Sequence, residues 1–450
     1  MSAAKSRALR AAILIVGALL LLSVYGRASS VPRVVDLMRH SSGIYDMDVA
    51  RVVADLTTRL PAYRPSVHPL QKLFAAPLGQ FINTRFFGGR DRLASAKILV
   101  ASFVTLNALG VGWLAFTLSR RSWIAGVSAA AVCGVSFSSV LAASIPESAA
   151  VSCLGSIAPL VFLEARIGRR LGWREAVAWG LIGVFCFAIT ITQIVYWAIA
   201  LAVRCWLLWR SADGPVDTRA VAIRLALALS LAVTFAWVGT RLQSRWYPGT
   251  EPFAAAAPFE SARSYFRVAE LRDAPLRHTG LLVRHFVLYS FLAPRPAYSD
   301  FLMRDFGHDY WSLSIENSDW EHWTPAPRAL AALLMLGMLV VGAIRSRVDI
   351  HFWAPGLGIA SQFGLHLLYG REYVLYSPNW HGVLVAWVTA AAWNGWGRRR
   401  KAFVAAIVIL CTVMLVNNLS VMDAVYREFG AGLEASRRDA AGNLLPGIID

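Results

Sequence analysis

Apolar runs about 20 residues long alternate with short polar connections through most of the chain, the spacing that a bilayer core demands. They cover residues 9–26, 93–118, 122–144, 148–165, 175–191, 193–209, 220–240, 328–345, 350–369, 381–396 and 401–417. The pattern predicts an all-α polytopic membrane protein of about 11 transmembrane helices, a single integral-membrane domain over residues 1–450. Two long polar segments interrupt it, at 27–92 and 241–327, and a polar tail follows at 418–450. Residues 175–209 are too long for one crossing, and a break near Thr190-Ile191-Thr192-Gln193 divides them into two short spans.

Charge on the connections sets the direction. Arg120-Arg121, the group Arg166, Arg169, Arg170 and Arg174, then Arg204, Arg210 and Arg219, Arg345 and Arg347, and Arg398-Arg399-Arg400-Lys401 fall on every second connection. The alternate short connections carry a single cation, Arg371. By the positive-inside rule the N-terminus is cytoplasmic and the polar segments lie on the outer face of the cell (plasma, inner) membrane. Counting the short apolar stretch His68–Ile82 as a crossing would put every arginine cluster outside, so it reads as an interfacial or re-entrant helix of the first outer loop. Gly280–Leu292, apolar but holding Arg284 and His285, reads the same way. The N-terminal basic residues and apolar run resemble a signal peptide, but an uncleaved first span fits the many spans that follow. The tail after Asn418 is expected to pack as a short outer helix.

Composition agrees. Hydrophobic residues are 57% and charged residues 16% of the chain, against about 25% charged in soluble domains. The net charge of +17 sits on connections, where it serves topology and anionic headgroups rather than nucleic acid. The 17 Trp gather toward segment ends, as in interfacial belts. Five cysteines lie inside apolar runs without a Cys-x-x-Cys pair, and read as small hydrophobes. Gln193, Gln362 and His366 read as interhelical hydrogen-bonding groups.

No P-loop, GxGxxG, GxSxG or HExxH occurs. The candidate chemistry lies on the outer face: Tyr45-Asp46-Met47-Asp48 and Val67-His68-Pro69-Leu70 in the first loop, Ile145-Pro146-Glu147-Ser148, and Arg371-Glu372-Tyr373-Val374-Leu375-Tyr376-Ser377, with His381 after it. Asp46 and Asp48, two apart, suit a shared metal ion, a base tuned by its neighbour, or solvated loop charges. A carboxylate in a short connection between apolar spans, as at Glu147, is costly unless paired or wet. His68 and His381 stand at helix starts, where caps and satisfied core histidines are common.

In their order and shared side these motifs resemble the GT-C membrane glycosyltransferases, mannosyltransferase-like enzymes that use polyprenyl-phosphate sugars. The resemblance covers most of the chain. It implies sugar transfer from a polyprenyl-phosphate donor to a hydroxyl of a glycan, lipid or protein acceptor, with inversion. Asp46 or Asp48 maps onto the family's base, Asp46 by its early place in the motif. Glu147, His68, Arg371, Glu372, Tyr376 and His381 are then the substrate-binding candidates, Arg371 as the cation for the leaving phosphate. The family's second acidic site often reads Asp-x-Asp or Asp-x-Glu, whereas only Glu147 stands here. No metal or cofactor is therefore assigned, with a divalent ion as the alternative. The rival class is a transporter or flippase for a lipid-linked glycan or anion. It predicts inverted repeats and mid-membrane charges, but the acidic candidates crowd one face.

Overall fold

The computed structural model describes residues 3–29, 43–44, 47–62, 67–210, 217–253, 266–294, 297–305, 308–314, 350–370, 376–396 and 399–436, with isolated residues at 35, 38 and 65 and pieces of 330–341. Helix α1 (Ala3–Ser29) leads into a two-residue hairpin, β1 (Gly43–Ile44) and β2 (Met47–Asp48). Then come α2 (Val49–Thr57), α3 (Gln71–Phe87), α4 (Arg92–Leu118), α5 (Trp123–Val135), α6 (Phe137–Ser144) and, after a 3-10 turn at Ser148–Val151, α7 (Ser152–Arg166). Helices α8 (Trp173–Ile189), α9 (Ile194–Arg210) and α10 (Thr218–Trp246) follow. The second long segment holds α11 (Val268–Asp273), α12 (Pro275–Val283) continued by a π turn over Arg284–Tyr289, and the hairpin β3 (Ala297–Asp305) and β4 (His308–Ser314). Helices α13 (Ile350–Leu368), α14 (His381–Trp396) and α15 (Arg400–Ser436) complete the described chain.

Six of these helical segments are long and apolar enough to cross a membrane: 12–29, 92–118, 148–166, 191–210, 218–246 and 400–424. The bent pair α5–α6 makes a seventh. α8 and α14 occupy their expected positions with 17 and 16 residues, and α13 fills 350–368. Of the expected span at 328–345, residues 330, 331, 333–338, 340 and 341 are described, and they are helical. Two expectations change. The tail does not begin a separate helix at Asn418, because α15 runs unbroken to Ser436. The second long segment carries a β-hairpin beside its helices, which with β1–β2 is a small addition to a mainly α-helical fold.

Local sequence accounts for the helix ends. Asp91 caps α4 by accepting the Ala94 N–H at 2.8 Å, Asp217 caps α10 through the Ala220 N–H at 2.9 Å, and Gly88 (φ 60°) ends α3 in the left-handed conformation. Helices α4 and α5 approach closely where each presents glycine: a Cβ on Gly112 would sit 2.8 Å from the Gly126 carbonyl oxygen. The outer faces of α1 and α10 leave Ile15, Leu19, Val233 and Trp237 exposed, as a lipid-facing surface requires.

Two breaks shape the bundle. At Ser136 the α5–α6 pair bends by 57°. The amides freed there, Phe137 and Ser138, donate to the carbonyls of Phe291 and Ser290, both at 3.0 Å. The stretch 284–293 of the second long segment is therefore tucked into the bundle, with Phe286, Tyr289, Phe291 and Leu292 buried. Asn418 of α15 locks this junction: its amide donates to the Val135 and Phe291 carbonyls, both at 2.9 Å, and its oxygen accepts the Ala293 N–H at 2.8 Å. The second break, between α8 and α9, falls at Thr190–Gln193 as the run length predicts. Gln193 donates to Asn379 Oδ1 at 2.8 Å and Gln362 to the Thr192 carbonyl at 3.0 Å, so both glutamines bond between helices as expected. His366 instead contacts the Tyr369 carbonyl at its own helix end. All five cysteines are free thiols.

Candidate active site

The broken span α8–α9 creates the seat for the first loop. A helix end leaves its last carbonyls without intrahelical partners. Here Ala188 accepts the Leu70 N–H at 3.2 Å and Ile189 receives His68 Nδ1 at 2.8 Å, while the Ile191 N–H returns to the Val67 carbonyl at 3.1 Å. Gln243 of α10 donates to the Pro69 carbonyl at 2.8 Å. Proline has no N–H to offer, so Val67-His68-Pro69-Leu70 is fastened through its carbonyls, its flanking amide and the imidazole. This fixes His68 at the start of α3.

Glu147 is buried rather than solvated, with 8% of its surface exposed. It caps the 3-10 turn: Oε1 accepts the Ser148 N–H at 2.7 Å, the Ala149 N–H at 3.4 Å and the Ser148 hydroxyl at 2.6 Å. Amides directed at a carboxylate favour its charged form. The Ser148 Oγ also lies 3.0 Å from His68 Nε2, and the Ser148 carbonyl accepts from Gln71 Nε2 at 2.7 Å. Glu147 and His68, far apart in sequence, are thus brought together through Ser148.

His68, Gln71 and Ser148 border a narrow cleft between α2, α3 and the 3-10 turn, lined also by Asp55, Lys72, Val52, Leu56 and Ala75. Lys72 donates to Asp55 Oδ1 at 3.0 Å and lies 5.3 Å from the Tyr247 ring centroid. Its side chain is 2% exposed against 26% for Asp55. Burial pulls the Lys72 pKa below its ordinary value, and the Asp55 charge and hydrogen bond pull it part of the way back. Asp55, Lys72, Gln71 and Ser148 did not stand out in the sequence. One signal was present: Lys72 is the one charged residue of the apolar stretch His68–Ile82.

The other predicted residues lie elsewhere or outside the described part. Asp46, Arg371 and Glu372 are outside it, and Asp48 is described by its backbone alone, paired with Gly43. Strand β1 of that hairpin packs against β4 of the second long segment. Tyr376 joins an aromatic group, 5.0 Å from His366 between ring centroids. His381 is buried in a different cavity, of about 240 Å³, with Nε2 2.7 Å from Ser136 Oγ and its ring edge-on to Phe291. Among the described residues no group of three His, Cys, Asp or Glu stands close enough to hold a metal ion.

No family model matches the sequence, and no curated protein matches it. The structure is similar to that of ArnT from Cupriavidus metallidurans bound to undecaprenyl phosphate. The TM-score is 0.53 at 13% identity, over 98% of this chain and 80% of that one. The fold is GT-C-like. At this identity the similarity is one of fold, and it extends over nearly the whole chain. An oligosaccharyltransferase from Archaeoglobus fulgidus, solved with zinc and sulfate, gives a TM-score of 0.46 at 12% identity, over 92% of this chain and 53% of that one. Within the GT-C-like frame, the resemblance expected from the sequence motifs holds at the level of architecture. The His-Pro element and the Glu147 turn meet through Ser148.

Proposed function

We propose that this chain is a membrane glycosyltransferase that moves a sugar from a polyprenyl phosphate to an acceptor hydroxyl on the outer face. The observation that carries the reading is the GT-C-like fold over 98% of the chain, in a relative solved with undecaprenyl phosphate. The cleft is consistent with it, because it offers a buried lysine, a histidine and the Asp55 carboxylate beside the seat of the His-Pro element. A polyprenyl-phosphate donor keeps its tail in the bilayer, so its phosphate and sugar must be met at the headgroup plane.

In this mechanism Asp46, or Asp48, takes the proton of the acceptor hydroxyl. The hydroxyl oxygen attacks C1 of the sugar as the bond from C1 to the phosphate oxygen breaks, and the electron pair leaves with the phosphate. Attack opposite the leaving group inverts the anomeric centre. Negative charge grows on the phosphate, and Arg371, Lys72 and His68 supply the cations for it. Glu147 acts through Ser148 rather than on the sugar.

Purified protein in nanodiscs, given a pool of polyprenyl-phosphate sugars and membrane acceptors, should release polyprenyl phosphate together with a glycosylated acceptor. Asp→Asn at the base removes basicity with little change of shape and should lower turnover by roughly 10²–10⁴-fold. Normal turnover in both Asp46→Asn and Asp48→Asn would rule the base out. Movement of the intact donor across the membrane without cleavage would instead mark a flippase.

A further inference from the structure

The hydrogen bonds between Glu147 and His68 fix a proton count. His68 Nδ1 faces the Ile189 carbonyl at 2.8 Å, and a carbonyl oxygen only accepts, so Nδ1 carries a proton. Ser148 has one hydroxyl proton and two neighbours. Glu147 Oε1 lies at 2.6 Å and His68 Nε2 at 3.0 Å. Oε1 also faces the Ser148 and Ala149 amides, both donors, so it is an acceptor and the hydroxyl proton points to it. The Ser148 oxygen is then left to accept from His68, and Nε2 must carry a proton as well.

We infer that Glu147, acting through the Ser148 hydroxyl, holds His68 doubly protonated at the edge of the cleft as a second cation beside Lys72. The ionic state follows from geometry alone. Its use, to meet the phosphate of the donor, rests on the glycosyltransferase reading. The charged groups that face His68 among the described residues are few. They are Glu147 from the 3-10 turn, Asp55 from α2 and Lys72 from α3, the last two ion-paired. Arg51 stands one turn before Asp55 on α2. The helix break 189–193 and Gln243 bring no charge. Glu147 and Ser148 are positioning residues in this arrangement.

The test uses the full chain in nanodiscs with nitrogen-15-labelled histidine, the His68 signals being assigned by their loss in His68→Gln. At about pH 7.5, where free histidine of pKa about 6.5 is mostly neutral, both ring nitrogens of His68 should show the protonated shift. Ser148→Ala should lower its apparent pKa by about one unit, a tenfold loss of the charged form, and Ser148→Thr should restore it. Glu147→Gln, which keeps the shape, should act like Ser148→Ala. A neutral His68 at pH 7.5 in the wild type, or a titration unmoved in both Ser148→Ala and Glu147→Gln, overturns the inference. Binding of undecaprenyl phosphate is the second measurement. It should weaken about tenfold as His68 loses its proton, and by a similar factor in His68→Gln. A doubly protonated His68 with binding unchanged upholds the inference and counts against the phosphate reading of the cleft.

Discussion

Asp55→Asn isolates the charge pair that the cleft is built around. Lys72 lies under α2 with a 2% exposed side chain, its ammonium 3.0 Å from Asp55 Oδ1 and 3.4 Å from the Ala54 carbonyl. Stripping the partner from a fully buried pair costs about 3–5 kcal/mol, because the remaining charge stays desolvated. Asp55 is 26% exposed, so part of its attraction is already screened, and the expected loss falls to roughly 2 kcal/mol. Lys72→Met keeps the packed stem and leaves behind a carboxylate that water can reach. Its cost should be smaller, about 1 kcal/mol or less. The pH dependence follows from the lowered Lys72 pKa. A lysine with a folded-state pKa below its unfolded value binds its proton less tightly when folded. Stability therefore rises with pH between the folded value and the unfolded value of about 10.4. Without Asp55 the depression deepens, so this rise begins at lower pH in Asp55→Asn, and its deficit should narrow as the pH rises toward the unfolded-state value. Reversible unfolding in mixed micelles of rising SDS content reads these differences directly. Asp55→Asn within about 0.5 kcal/mol of wild type, or Lys72→Met the more damaging of the two, would refute charge pairing as what holds α2 to α3.

Other expectations follow from single contacts. Arg204, buried among α7, α8 and α9, donates to Glu175 at 2.8 and 3.3 Å and to the Arg169 carbonyl at 2.6 Å. Glu175→Gln should therefore cost about 3–5 kcal/mol in the same unfolding assay, and a neutral result would mean that Arg204 reaches water. A Cβ on Gly79 would land on the Leu56 carbonyl oxygen, so Gly79→Ala should destabilise by about 1–3 kcal/mol and weaken donor binding by pushing α3 off α2. Gly17, with nothing within 4 Å of its Cβ position, is the control: Gly17→Ala should leave both unchanged. Arg371→Ala should lower turnover per folded molecule about 10–150-fold, and Arg371→Lys, which keeps the charge but not the planar fork, by less. An unchanged normalised rate in Arg371→Ala would make Arg371 an interface anchor.

The sequence by itself determined the elements and their breaks. Hydrophobic run length is a direct readout of bilayer thickness, which is why the starts of α4, α7, α10 and α15 fall within a few residues of their predicted positions. The division of 175–209 was legible for the same reason. What only the tertiary structure decided is which polar atoms meet. Nothing along the chain tells Ile189 that its freed carbonyl receives His68, or Ser290 and Phe291 that they satisfy the break at Ser136. Those pairings arise because a broken helix in an apolar bundle must find partners for its backbone, and the nearest irregular segment provides them. His68 and His381 looked alike as histidines at helix starts, and packing separated them, one at a cleft and one in a buried cavity. Asp55 and Lys72 were invisible as a pair because α2 and α3 are joined through an irregular link whose path no local pattern specifies. Their roles were set by burial, which excludes water from the lysine and makes its one carboxylate partner matter.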